Sequence, residues 1–282
     1  MVFVAGVRLR AFILHIRESF LDLFFATALM GRMSEESLEG KVAIVTGSGK
    51  GIGRAIVEAY AKAGARVCVT ARTSSQINEV ANAINESGGE AIAIPCDVTD
   101  ADAVKGMVDQ AAEAFGGLDI LFANAGGNTV WNTPTEEITP EQWKGCVDVN
   151  LTSAFYTARA AIPHLKKRGA GKIIFTGSGL GHRGVVDLSV YSVAKAGLWH
   201  FTRSLSEELL PFHITVNELV PGIVHTKLKE GEVPERKLVE QLGGSLEWRK
   251  LPEDVVPLAM YLATTPKYGP TGQSFSLTRR WL

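Results

Sequence analysis

From Lys41 onward, short continuous apolar runs alternate with longer stretches of helical periodicity. Val42-Ala43-Ile44-Val45 is the first run, and Gly51 to Gly64 then reads as a helix closed by a glycine. Arg66 to Ala71 predicts a second strand, and Ile77 to Glu86 a second helix stopped at Gly88-Gly89. Ala91 to Ile94, Leu118 to Phe122, Lys172 to Phe175 and Ile214 to Val216 continue the series, with helical segments between them, and Gln273 to Leu277 predicts a last strand. Strands that are apolar throughout are buried on both faces, and helical crossovers join parallel neighbours. The pattern therefore predicts an α/β chain: a doubly wound parallel sheet of about seven strands with helices on both faces. Ligands of such a sheet sit beyond the carboxyl ends of its strands.

The chain has 282 residues and a net charge of −1. That length suits one large domain, and no repeat, low-complexity tract or linker interrupts it after Gly40. We read residues 41–282 as a single domain and residues 1–40 as an N-terminal extension. Within the extension Phe12 to Met30 is strongly apolar, but His15, Arg17, Glu18 and Asp22 break it up, which argues against a membrane span. The spacing of His15, Glu18, Ser19 and Asp22 suggests an amphipathic helix. Residues 1–32 thus read as a membrane-surface or partner helix, a targeting segment, or an extension upstream of a natural start at Met33. No basic run points to nucleic acid. Cys68, Cys96 and Cys146 are odd in number and lie among apolar neighbours. They predict reduced core thiols, a cytoplasmic setting and no metal site.

Chemistry enters first after the first strand, at Thr46-Gly47-Ser48-Gly49-Lys50-Gly51-Ile52-Gly53. Glycines between a strand and a helix let the backbone approach a pyrophosphate, which the helix N-terminal amides can bind. An acid about 20 positions on would select the ribose hydroxyls of NAD. Here the second strand ends in Ala71-Arg72, and Lys50 sits inside the glycine turn. Two cations attract a 2′-phosphate, so the expected cofactor is NADP(H). Farther on, Tyr191 and Lys195 stand at i,i+4, on one face of a helix. A nearby ammonium favours the phenolate and predicts a lowered Tyr191 pKa, fitting that phenol for acid/base work.

With these residues assembled, the chain resembles the single-domain short-chain dehydrogenase/reductase family, in the branch of NADP-dependent 3-oxoacyl-carrier and carbonyl reductases. The resemblance covers about Lys41 to Leu277. Thr46 to Gly53, including Ser48 and Ile52, is similar to its cofactor motif. Asp97-Val98 matches the pair contacting adenine, and Asn124-Ala125-Gly126 the family's Asn-Ala-Gly. Asn150 matches the helix asparagine, Ser178 the serine preceding Tyr191, and Pro221-Gly222-Ile223-Val224-His225-Thr226 the stretch passing the nicotinamide. Lys50 with Arg72 resembles the NADP-preferring pattern. The family's usual Asp-Gly-Gly near the last strand is absent; the chain reads Ser276-Leu277-Thr278 there. That departure bears on the expected homo-oligomer, a dimer or tetramer.

The resemblance implies a Rossmann-type oxidoreductase acting on a carbonyl or secondary alcohol, with Tyr191 as acid/base and Ser178 stabilising charge on the substrate oxygen. Lys195 would lower the Tyr191 pKa and hold the nicotinamide ribose, and Asn150 would position a relay water. A non-catalytic dinucleotide-binding regulator and a nucleotide-sugar epimerase or dehydratase are the alternatives. Residues 225–250 lie where relatives carry a covering loop. Trp131, Leu180, His182, Val185 and Trp248 are candidate pocket residues, each equally readable as core or surface.

Overall fold

A computed structural model describes residues 37–226, 235, 237–240 and 246–278. The expected N-terminal helix, Gly231, Pro234, Gly243, Gly244 and residues 279–282 lie outside them. Val42–Thr46 forms β1, every side chain of it buried. Gly51–Lys62 (α1), Arg66–Thr70 (β2), Ser74–Glu86 (α2), Glu90–Ala93 (β3), Ala101–Phe115 (α3) and Ile120–Ala123 (β4) follow in alternation. Pro140–Val147 (α4) leads into Ser153–Arg168 (α5), Gly171–Thr176 (β5), Ser189–Leu209 (α6) and Ile214–Val220 (β6). Leu238–Glu240 (β7), Leu246–Trp248 (β8), Val256–Thr264 (α7) and Ser274–Ser276 (β9) complete the order.

Seven strands make the main sheet, in the order β3-β2-β1-β4-β5-β6-β9, and all its pairings are parallel. Each strand sends alternate side chains to opposite faces, so both faces must be covered. Val42, Ile44, Leu121, Ile173 and Phe175 join residues of α3, α5 and α6 in one core. Ala43, Val45, Val67, Phe122 and Ile174 join α1, α2 and α7 in the other. Each fully buried Ile, Val or Phe contributes about 1.5–3 kcal/mol of transfer free energy, which is why continuous apolar runs specify this sheet. Tyr60 reaches across the second core to donate to the Ala259 carbonyl at 3.0 Å.

Helix ends follow local chemistry. Asp100 caps α3 by accepting from the amides of Asp102 and Ala103, and Gly116 closes it at φ +76°. The fold starts slightly earlier than Lys41, because Leu38 is 2 % exposed, packs in the second core and donates to Ala63 O at 2.8 Å. Two features were not foreseen. The antiparallel hairpin of β7 and β8 docks through a bridge from Val224 to Lys250. A π-helical turn at Asp148–Thr152 precedes α5 and carries Asn150. Between β1 and β4 the strand order reverses, which leaves a crevice beyond their carboxyl ends.

Candidate active site

The crevice is a cleft of about 430 Å³. At one end β1 runs into the glycine turn. Gly47 takes φ +67° and Gly51 φ +58°, conformations a side chain resists. Gly53 has another reason: a Cβ there would lie 2.4 Å from the Gly47 carbonyl oxygen and 2.7 Å from Asn124 Nδ2. The α1 start carries no side-chain cap and no acid in its first turn. Exposed amides, a positive helix end and close backbone fit an anionic dinucleotide. Ser48, expected to touch the cofactor, turns inward instead. It is fully buried, donates to Val45 O at 2.7 Å and accepts from Thr70 N at 2.9 Å, tying β1 to β2.

Gly47, Lys50, Gly51, Ile52, Arg72, Asp97 and Val98 line the cleft from this end. Among the described residues neither Lys50 nor Arg72 has a carboxylate within ion-pairing distance. Asp97 is held below its usual carboxylate range by hydrogen bonds from the Thr99 amide and hydroxyl, with the Arg72 charge adding to them.

Asn124, Ala125 and Gly126 form the floor. Thr46 organises them: its hydroxyl accepts from the amides of Asn124 and Ala125, each at 3.0 Å, and its carbonyl accepts from Asn124 Nδ2 at 3.0 Å. Asn150 stands behind this loop rather than on the cleft wall. Its Oδ1 accepts from Gly127 N at 2.9 Å, and its Nδ2 donates to Gly127 O and Cys146 O at 2.8 and 2.9 Å. Its visible work is to clamp the floor.

At the other end, Ser178, Tyr191 and Lys195 share the wall with Pro221, Gly222, Val224 and Thr226. Tyr191 and Lys195 both lie on α6, and the Lys195 ammonium sits 5.8 Å from the Tyr191 ring centre. Ser178 Oγ accepts from Leu180 N at 3.2 Å, so its proton is left to donate. The expected lowering of the Tyr191 pKa is not what the site shows. The ring packs with Val130, Cys146 and Val190, and burial pushes the phenol up to about 12. Ser178 pulls the other way, less strongly. Lys195 is 3 % exposed, and burial lowers it to about 8 while Glu218 opposes that shift. Its Nζ donates to Thr176 O at 2.8 Å. Desolvation outweighs the neighbouring charge here, an outcome helical spacing alone does not reveal.

The pocket candidates separate. Trp131 and Trp248 are largely exposed, whereas the His182 imidazole turns inward to Glu218, 3.0 Å away. Glu218 itself went unnoticed in the sequence, although a carboxylate inside an apolar strand was the available signal. Among the described residues no cluster of three or more metal-ligating side chains occurs, and no helix is long and apolar enough to cross a membrane. The three thiols are buried and unpaired.

Comparison with known proteins places this geometry. The family model for short chain dehydrogenase matches residues 41–237. D-beta-hydroxybutyrate dehydrogenase from Rhizobium meliloti is 34 % identical over 86 % of this chain and 98 % of its own length. Trihydroxynaphthalene reductase from Pestalotiopsis fici is 37 % identical over 70 % of this chain and 69 % of its own. Among solved structures, a short-chain type dehydrogenase/reductase from Mycobacterium marinum superposes with a TM-score of 0.74 at 36 % identity, covering 86 % of this chain and 96 % of that one. A glycine turn at the mouth of a doubly wound sheet, matched across nearly its whole domain by these proteins, makes the chain a member of the short-chain dehydrogenase/reductase family of oxidoreductases, which bind a nicotinamide dinucleotide and act on hydroxy or keto groups.

Proposed function

We propose that the protein is an NADP(H)-dependent oxidoreductase that interconverts a carbonyl compound and a secondary alcohol, with Tyr191 as its acid/base. The observation that carries this reading is one cleft with the glycine turn, Lys50 and Arg72 at one end and Ser178, Tyr191 and Lys195 at the other. Lys50 and Arg72 would hold the 2′-phosphate, and Asp97-Val98 the adenine. A bound reduced nicotinamide would supply hydride to the carbonyl carbon.

The remaining steps belong to the protein. A phenol with a pKa near 12 is protonated at neutral pH, so Tyr191 starts as a proton donor to the carbonyl oxygen. Ser178, whose hydroxyl already hydrogen-bonds the Tyr191 phenol, would donate to the same oxygen, where negative charge develops in the transition state. Lys195 keeps a positive charge beside the phenol and eases its ionisation once the proton leaves. Asn150 fixes the floor and, in this reading, positions a water that returns a proton through Lys195.

The names of the relatives, a hydroxybutyrate dehydrogenase, a trihydroxynaphthalene reductase and, at 28 % identity, an Escherichia coli hydroxysteroid dehydrogenase structure, support a carbonyl or alcohol substrate without narrowing its class. A homo-oligomer is supported by the half-exposed Phe155 ring on α5, whose centre lies 5.7 Å from that of Tyr156. Buried free thiols suit a reducing, cytoplasmic setting.

The test mixes purified protein with NADPH or NADH and a panel of ketones and follows loss of the reduced cofactor. Turnover with NADPH, reduced by about 10²-fold or more in Tyr191→Phe while NADPH still binds, supports the reading. Undiminished turnover in that variant refutes the tyrosine assignment.

A further inference from the structure

Glu218 lies in the middle of β6, and none of it is exposed. An unpaired carboxylate in such a place is strongly disfavoured, so its surroundings are informative. A Cβ on Gly177 would fall 1.9 Å from Glu218 Oε1, which places the carboxylate directly against the Gly177 backbone. Its Oε2 accepts a hydrogen bond from the Ser274 hydroxyl on β9 and lies 3.0 Å from His182 Nε2. The other oxygen, Oε1, has no hydrogen-bond partner. The His182 side chain is 6 % exposed and meets the Trp199 ring edge-on.

The second half of the arrangement is Lys195. Its ammonium donates to the Thr176 carbonyl, so carboxylate and ammonium flank the same Thr176–Gly177 peptide, the one that leads into Ser178. At the far side of the turn, a Cβ on Gly181 would lie 2.7 Å from the Lys195 carbonyl carbon. The turn bearing Ser178 is thus pressed between Glu218 and the helix bearing Lys195.

We propose that Glu218 is a positioning residue for the reactive trio: its charge faces the Lys195 ammonium across the Thr176–Gly177 peptide, and its contact with His182 holds the turn that presents Ser178. The inference rests on the oxidoreductase reading above and adds to it a carboxylate behind Lys195. Glu218 opposes the loss of charge that burial imposes on Lys195. The titratable groups around the pair are His182 on the turn, Tyr191 on α6, Cys146 on α4, and Glu247 with Lys250, which bond to each other at 3.3 Å beside Gly222. Among the described residues only Glu218 is placed to supply negative charge against the Thr176–Gly177 peptide.

The test is a titration of the Lys195 side chain, read by the ¹³C shift of its Cε in the cofactor-free protein and assigned with Lys195→Met. In Glu218→Gln, which preserves shape, the midpoint should fall by about one pH unit, and the alkaline limb of kcat/KM should fall with it. An unmoved midpoint in the folded variant overturns the proposal, as does a lowered Tm with the midpoint in place. Should Glu218→Gln not fold, His182→Gln keeps the carboxylate and releases the turn. There kcat should drop about tenfold or more, with the Lys195 midpoint not lowered; unchanged kcat overturns the proposal. The titration needs no turnover, so a shifted midpoint in a protein inactive on every carbonyl would uphold the contact and sink the oxidoreductase reading separately.

Discussion

Gly53 offers a quantitative test of how tightly the cofactor turn is built. Its replacement by alanine puts a methyl 2.4 Å from Gly47 O, 2.8 Å from Gly47 C and 2.7 Å from Asn124 Nδ2. None of these can step aside easily: two are backbone, and the Asn124 amide is held by Thr46 O and Thr176 Oγ1. Relief requires α1 to move away from the turn by roughly half an ångström or more, and overpacking of this kind costs about 1–3 kcal/mol. Alanine recovers up to about 1 kcal/mol of helix propensity, so the net stability loss should be at most about 3 kcal/mol. For a domain of this size that lowers Tm by several degrees. If the displaced amides carry the pyrophosphate, the same 1–3 kcal/mol weakens NADPH binding about 5- to 150-fold. Fluorescence titration with NADPH and thermal melting read both effects. Gly106→Ala is the matched control, because a Cβ there meets nothing within 4 Å on the same kind of helix and should stabilise slightly. Equal NADPH affinity and equal Tm in the two variants would refute the reasoning.

Two further outcomes are expected. Arg72→Asp replaces attraction for a 2′-phosphate by repulsion, so the kcat/KM ratio of NADPH to NADH should fall at least about tenfold; an unchanged ratio would show that Arg72 does not read the adenosine end. Lys172 is buried, donates to Pro266 O at 3.0 Å and has its pKa lowered to about 8 by burial, below the unfolded value of 10.5. Between those two pH values the unfolded chain holds the extra proton, so folded stability rises with pH across that window. Wild type should therefore gain about 1–2 kcal/mol relative to Lys172→Met from pH 8 to 10.5, allowing for screening, in denaturant melts. A flat difference would contradict the assigned burial.

Much of the fold was legible because this sheet is covered on both faces. Val42 to Val45 and Ile173 to Phe175 declare themselves as strands by being apolar throughout, and Gly47, Gly51 and Gly53 mark a turn that only glycine permits. The β7–β8 hairpin was not legible: Leu238-Val239-Glu240 and Leu246-Glu247-Trp248 are short, expose their first and last residues, and carry no continuous apolar signal. Within the site, spacing brought Tyr191 and Lys195 to one helix but gave the wrong sign for the phenol, because the pKa depends on packing against Val130, Cys146 and Val190, which are distant in sequence. Ser48 and Asn150 were readable as motif members but not as backbone clamps, since their partners Thr70 and Gly127 are set by the fold. Glu218 shows the reverse case, a polar break in a buried strand whose meaning appears only once His182 and Lys195 are seen around it.

The central claim is that this cleft passes hydride to a carbonyl carbon while Tyr191 supplies the proton. NADPH carrying deuterium at C4 tests it directly, with the alcohol product examined by mass spectrometry and NMR. The account predicts one deuterium, on the carbinol carbon, with product formation lost in Tyr191→Phe. Alcohol formed without deuterium from either face of the labelled ring would contradict it.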